Sequence, residues 1–221
     1  MRAAVEHVAE PPRAESVPIP VPRWGPLVIA GFVALVVCTN VASAVWARWV
    51  EVNPEGLLAL SSRNRYLALT LAAGVPVWAY ALIATVRLAA AFVICHLIGR
   101  AYRDRALNWF VRYLGVAPES IAGFQRGFGR AEWVLIPFFA GSNIVAVLSG
   151  VHRTSAAKLA GLLVAGIAAR LVVMWWLART FEEQLVDFLE WLQRYQWWAV
   201  GISVLLVVGM NVRNLRRGAG R

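Results

Sequence analysis

Arg130 to Gly150, R-A-E-W-V-L-I-P-F-F-A-G-S-N-I-V-A-V-L-S-G, is the stretch whose reading decides the fold. Its two ends are apolar and its middle is broken. Pro137 opens the break, because proline lacks a backbone donor and clashes with the preceding helical turn. Gly141, Ser142 and Asn143 complete it, and Ser and Asn are good N-caps for a second helix starting near Ile144. Arms of about eight residues make roughly 12 Å of helix. That is under half of a ~30 Å hydrocarbon core. The stretch therefore predicts a re-entrant hairpin that dips into a membrane and returns to the same side. Broken backbone at that depth is stable only inside protein or beside a water-filled cavity, so the break points to a transport site.

The rest of the chain agrees with a membrane setting. Of 221 residues, 60% are hydrophobic and 11 are tryptophan, well above the apolar share of a soluble domain. The net charge of +10 sits in the tails and between apolar runs, where cytoplasmic loops keep basic residues, and needs no nucleic-acid partner. Cys38 and Cys95 both fall in apolar runs and offer neither a disulfide framework nor metal-ligand spacing. With His7, His96 and His152 scattered, no metal or cofactor is expected. No nucleophile elbow, P-loop or paired-histidine motif is present, so the reading is non-enzymatic.

In order, residues 1–23 read as a disordered tail, rich in Pro, Glu and Arg. Gly25 to Ala47 is a first span, with Trp24 and Trp46 as interfacial anchors. Pro54 interrupts the chain after it. A short arm, Leu57 to Leu60, then meets a polar tip, Ser61 to Arg65, followed by a second arm, Tyr66 to Ala73. Tyr66 to Gly99 is too long for one span, and Gly74 to Pro76 is the natural break. This gives a second hairpin, or alternatively an ordinary external loop at Ser61 to Arg65, before a span from Val77 to Gly99. Residues 100–115 carry Arg100, Arg103, Arg105 and Arg112, with apolar residues at helical spacing, and predict a basic interfacial helix. After the Pro137 hairpin comes a span from Ala156 to Ala178. Phe181 to Tyr195 predicts an acidic amphipathic helix on the outer surface, and Gln196 to Met210 a last, short span. Residues 213–221 form a basic tail.

Charge bias then selects a topology. With the N-terminal tail inside, two re-entrant hairpins and four spans put the basic 100–115 segment and the C-terminal tail inside, and the acidic segment outside. Six full crossings satisfy parity too, but the short arms and Arg63 and Arg65 at the first tip disfavour them. The expected fold is an all-α membrane domain over residues 24–212, with half one at 24–99 and half two at 118–212. Each half holds a hairpin and then a span, with I-A-T-V-R-L to Leu88 echoed by I-A-A-R-L to Leu171. Hairpins entering from opposite faces make the halves an inverted repeat.

Ionisable groups within spans are costly and face protein interiors or cavities. Arg87 and Arg170 each lie about ten residues into a span. Each is open to two readings: a contact to a phosphate or carboxylate ligand, or a structural contact to Glu132 or a carbonyl. The tips, with Arg63, Asn64 and Arg65 on one and Gly141, Ser142 and Asn143 on the other, offer helix N-termini and guanidinium groups suited to an anion. Glu55 and Glu132 are candidates for proton-linked groups, or else each is an interfacial acid or a helix cap.

Three segments resemble the DedA family, the membrane proteins with a VTT domain: L-I-G-R-A-Y-R-D-R (Leu97 to Arg105), F-x-R-x-F-G (Phe124 to Gly129) and I-P-F-F-A-G-S-N-I-V-A-V-L-S-G (Ile136 to Gly150). The resemblance covers about Glu51 to Ala178. It implies two facing re-entrant hairpins and the flipping of undecaprenyl phosphate or the scrambling of phospholipids in a bacterial inner membrane. Two departures stand out. Val134 and Ala140 occupy positions near Pro137 where the family usually carries arginines, and Glu55 lacks the usual following proline–acid pattern. Arg63 and Arg65 are placed to supply the missing positive charge from the opposite tip. The expected function is transport of an anionic, phosphate-bearing lipid in a plasma membrane, with both termini cytoplasmic. The alternatives are a non-transporting scaffold whose basic segments bind partners, and a small-solute or ion transporter. Anionic membrane lipids are the expected partners, with association of several copies of the chain left open.

Overall fold

A computed structural model describes residues 22–103, 105–106 and 118–219. Nearly all of them are helical. The expected disordered tail lies outside the described residues, apart from positions 22 and 23, as does most of the expected basic interfacial helix.

Helix α1 (Gly25–Val52) opens with Pro26 in its first turn, where a missing N–H costs nothing. It ends at Asn53, whose side-chain Oδ1 accepts from the Gly56 backbone N–H at 2.9 Å and so caps α2 (Pro54–Leu60). Helix α3 (Asn64–Ala72) follows after a three-residue turn, Ser61 to Arg63. The first hairpin is therefore two helical arms of 7 and 9 residues joined by that turn. Both are well short of the roughly 20 residues a membrane crossing needs. The break at Gly74 to Pro76 is where expected: Gly74 adopts φ +85°, a conformation open to glycine, and Pro76 precedes the first residue of α4 (Val77–Tyr102). Arg100 to Tyr102 complete α4 instead of starting an interfacial helix, and Arg103, at φ 47°, ends it.

The second hairpin is less symmetric than expected. Its first arm is α5 (Pro118–Phe138), 21 residues long, not about eight. Pro137 lies inside it, one residue from its end; the chain turns at Phe139 to Ser142 and resumes as α6 (Asn143–Val151). Proline weakens the last turn, but the reversal itself uses Gly141 at φ +106°. Ser142 holds the N-cap position of α6 without making a side-chain capping bond. Helix α7 (Ala156–Thr180) follows.

The C-terminal expectation is corrected as well. The acidic surface helix and the last span are a single element, α8 (Glu182–Ala219), which also runs through most of the expected tail. The junction, Leu192 to Gln196, holds Leu, Gln, Arg and Tyr and no Gly or Pro, so nothing there stops a helix. The apolar face of its acidic part also packs on protein: Leu185 and Leu189 join Ala42, Val50, Leu57 and Tyr66 in one core cluster, and Phe188 stacks on Trp46 at 6.4 Å.

A second cluster unites α4, α5, α6 and α7 around Phe92, Phe128, Ile136 and Leu148. Its tightest crossing is α4 on α6. A Cβ on Gly99 would collide with the Val147 carbonyl oxygen, and one on Gly150 with the His96 carbonyl oxygen. Reciprocal glycines of this kind let two backbones touch. Within this interface, Ser149 Oγ donates to the Ala146 carbonyl at 2.7 Å. Its one hydrogen is thereby spent, so His96 Nδ1, 2.8 Å away, is the donor of that pair. Ser149→Ala should cost about 1–2 kcal/mol by stranding the buried Nδ1–H, read as a lowered melting temperature. An unchanged melting temperature would contradict this pairing.

Helices α1, α4 and α7 are each long and apolar enough to cross a membrane. Of the most apolar window of α1, 11% is buried, so most of its apolar surface needs a non-aqueous partner.

Candidate functional site

The two hairpin tips line one cavity of about 760 Å³, to which α1 and Ser203 and Leu206 of α8 also contribute. Arg63, Arg65, Arg87, Gly141, Ser142, Asn143 and Arg170 all contribute to its wall. Asn64 is not in the wall, but it holds Arg170 in place. Of the residues expected at the site, the two tips and the two span arginines thus converge. Glu55 and Glu132 do not: neither lines the cavity.

The two span arginines do matching structural work. Arg87 on α4 donates through Nε and Nη2 to the Leu60 carbonyl, at 3.2 and 3.0 Å, which is the last residue of α2. Arg170 on α7 donates through Nη1 to the Ala140 carbonyl at 2.5 Å, just past the end of α5. Arg87 therefore satisfies a terminal carbonyl of α2, where helices leave acceptors unpaired, and Arg170 a carbonyl in the turn that follows α5. Each also ties that tip to a neighbour. Arg87 Nη2 reaches the Leu35 carbonyl and Thr39 Oγ1 on α1, both at 3.3 Å. Arg170 Nη2 reaches Asn64 Oδ1 at 2.6 Å and so bridges the two hairpins. The carbonyl contact, not an ion pair with Glu132, is the structural role both side chains play. Gly141 is needed twice here: for its positive φ, and because a Cβ would collide with the Arg170 guanidinium.

Arg63 and Arg65 are differently placed. Both are exposed, at the N-cap and in the first turn of α3. Arg65 Nη2 donates to Tyr66 Oη at 2.5 Å and to Ser43 Oγ at 3.2 Å, and its guanidinium lies 4.5 Å from the Tyr66 ring centre. The Arg63 guanidinium makes no hydrogen bond to the described residues, while its backbone carbonyl accepts from the Tyr66 and Leu67 N–H groups. Among the described residues the wall carries four arginines and no Asp or Glu, so its field favours an anion. Planar guanidinium groups match phosphate oxygens in pairs. The N-termini of α3 and α6, which lack side-chain caps, add N–H groups and positive dipole ends on the same side.

Sequence reasoning missed the opposite wall. Thr39, Asn40, Ser43 and Trp46 of α1 line the cavity. The signal was available: three small polar residues at i, i+1 and i+4 within an apolar run share one helix face.

Glu55 is exposed in the first turn of α2, where an acid complements the helix dipole. Glu132 forms an ion pair with Lys158 and accepts from Thr154 Oγ1 at 3.0 Å, while Lys158 Nζ lies 4.4 Å from the Trp133 ring centre. Burial pushes the Glu132 carboxyl up, but the hydrogen bonds from Lys158 and Thr154 outweigh it and hold the carboxyl below its ordinary value. The cluster fastens α5 to the start of α7. Glu132→Gln should lower stability by about 1–2 kcal/mol and leave phosphate binding unchanged; weakened binding by calorimetry would contradict this. Among the described residues, no three His, Cys, Asp or Glu side chains gather to hold a metal.

Fold and site together define a class: an all-helical membrane protein with an arginine-lined cavity between two helical hairpins. No family model, curated protein or solved structure matches the chain.

Proposed function

We propose that this is a lipid transporter of DedA type, a flippase or scramblase for an anionic lipid bearing phosphate, such as undecaprenyl phosphate or a phospholipid, in a bacterial inner membrane. The observation that carries the reading is a cavity whose described lining holds four arginines and no acid, together with apolar residues such as Phe32, Leu35, Val36 and Leu206. A charged headgroup and an apolar tail call for such a mixed lining. In this reading α8 is a fourth span, and the α2–α3 and α5–α6 hairpins enter from opposite faces as an inverted repeat. The matching bonds of Arg87 and Arg170 to hairpin carbonyls support that symmetry. Both termini lie on the cytoplasmic side, as the distribution of arginines asks. Arg63 and Arg65 replace the positive charge that the family resemblance leads one to expect beside Pro137.

The test is transbilayer movement of a labelled anionic lipid in proteoliposomes. Wild type should accelerate it over empty liposomes. Arg63→Ala and Arg65→Ala should each slow it about tenfold, the loss of one charge-assisted contact, without loss of fold, since both side chains are exposed. No acceleration by wild type for any anionic lipid contradicts the reading. Unchanged rates in the variants remove those two residues from it.

A further inference from the structure

Asn40 lines the cavity wall, and the proposed contacts leave its side chain unexplained. It sits in the apolar run of α1, where an amide is expensive unless paired. Its neighbours on that face are engaged. Thr39 Oγ1 accepts from Arg87 at 3.3 Å and donates to the Leu35 carbonyl at 2.9 Å. Ser43 Oγ accepts from Arg65 at 3.2 Å and donates to the Thr39 carbonyl at 2.9 Å. The Asn40 amide, between them and lining the same cavity, has no hydrogen-bond partner among the described residues.

We infer that Asn40 reads a hydroxyl group on the headgroup, beside the phosphate held by the arginines, and so selects phosphodiesters of polyols. The inference rests on the proposed function for the anionic lipid itself. A carboxamide offers two donors on Nδ2 and an acceptor at Oδ1. Phosphate oxygens only accept, so they satisfy Nδ2 but repel Oδ1. A hydroxyl both donates and accepts and satisfies the group whole. A headgroup ammonium would also donate to Oδ1, but it would then sit among four arginines with no carboxylate among the described residues of the wall to neutralise it. The pairing of a neutral amide with surrounding guanidinium groups therefore favours an anionic headgroup carrying hydroxyls over a zwitterionic one.

The experiment compares fluorescent phosphatidylglycerol with phosphatidylmethanol, an anionic diester without the hydroxyls, in proteoliposomes. Wild type should move phosphatidylglycerol about tenfold faster, since sites built to bond a hydroxyl reject its absence. Asn40→Leu should bring the ratio to about one by slowing phosphatidylglycerol alone, and Asn40→Ser, which keeps a donor and an acceptor, should restore part of it. A wild-type ratio near one, an unchanged ratio in Asn40→Leu, or equal slowing of both lipids overturns the inference. If wild type moves neither lipid, the transport reading fails, and calorimetry on the full chain in detergent decides the inference alone. Glycerophosphoglycerol should then bind wild type about tenfold tighter than dimethyl phosphate, with the difference lost in Asn40→Leu. Equal binding, or tighter binding of inorganic phosphate than of either diester, overturns it.

Discussion

Gly150→Leu is expected to abolish the folded protein. The Cβ alone would collide with the His96 carbonyl oxygen and press on the Arg100 backbone nitrogen at 2.8 Å. Neither neighbour is a side-chain tip that can swing aside; both belong to the backbone of α4. Relief requires separating α4 from α6, which breaks the larger core cluster and strands the His96–Ser149 pair. Overpacking alone costs about 1–3 kcal/mol where side chains can yield, and a backbone collision exceeds that range. Gly99→Leu meets the Val147 carbonyl from the other side and should behave alike. Gly161→Leu, with open space around its Cβ, is the control and should fold. The readout is a monodisperse peak on gel filtration in detergent; retention of that peak by Gly150→Leu would contradict the close crossing.

The second large effect is expected at Arg170. Its guanidinium satisfies the Ala140 carbonyl on one hairpin and the Asn64 amide oxygen on the other. Arg170→Leu removes two charge-assisted hydrogen bonds, a loss of about 3 kcal/mol, or roughly 6–12 °C in melting temperature for a chain of this size. Transport should fall to the level of empty liposomes, because the two tips are no longer held against each other. Arg170→Lys should recover little. A single ammonium on a flexible stem lacks the fork that spans two acceptors. Full rescue by lysine would show that charge at this position matters and the bridge does not. Arg87→Leu should be milder for transport, since Arg87 joins its hairpin to α1 and leaves the contact between hairpins intact.

How much of this could be read from the residues alone depends on how local the cause was. Gly74, Pro76 and Gly141 act on their own backbone, so the turns they make were legible from the sequence. The convergence of both tips on one space also followed, because short arms carrying polar tips have few places to go. The lengths of α5 and α8 were not legible. Pro137 lies so near its helix end that it weakens only the last turn, and helix formers fill the junction between the acidic segment and the last apolar run. The role of Glu132 was set by Lys158, a residue 26 positions away, whose approach no local pattern announces. The α1 wall escaped notice because Thr39, Asn40 and Ser43 are uncharged, and an apolar run absorbs such residues without losing its character.

Everything proposed for the cavity depends on the two tips meeting inside the bilayer. The direct measurement is the depth of spin labels attached at Ser62→Cys and Ser142→Cys in proteoliposomes, from collision with oxygen and with a water-soluble nickel chelate. Both labels should lie near the middle of the hydrocarbon, deeper than a label at Trp24→Cys, the N-cap of α1. A label at either tip found at headgroup depth would contradict the account.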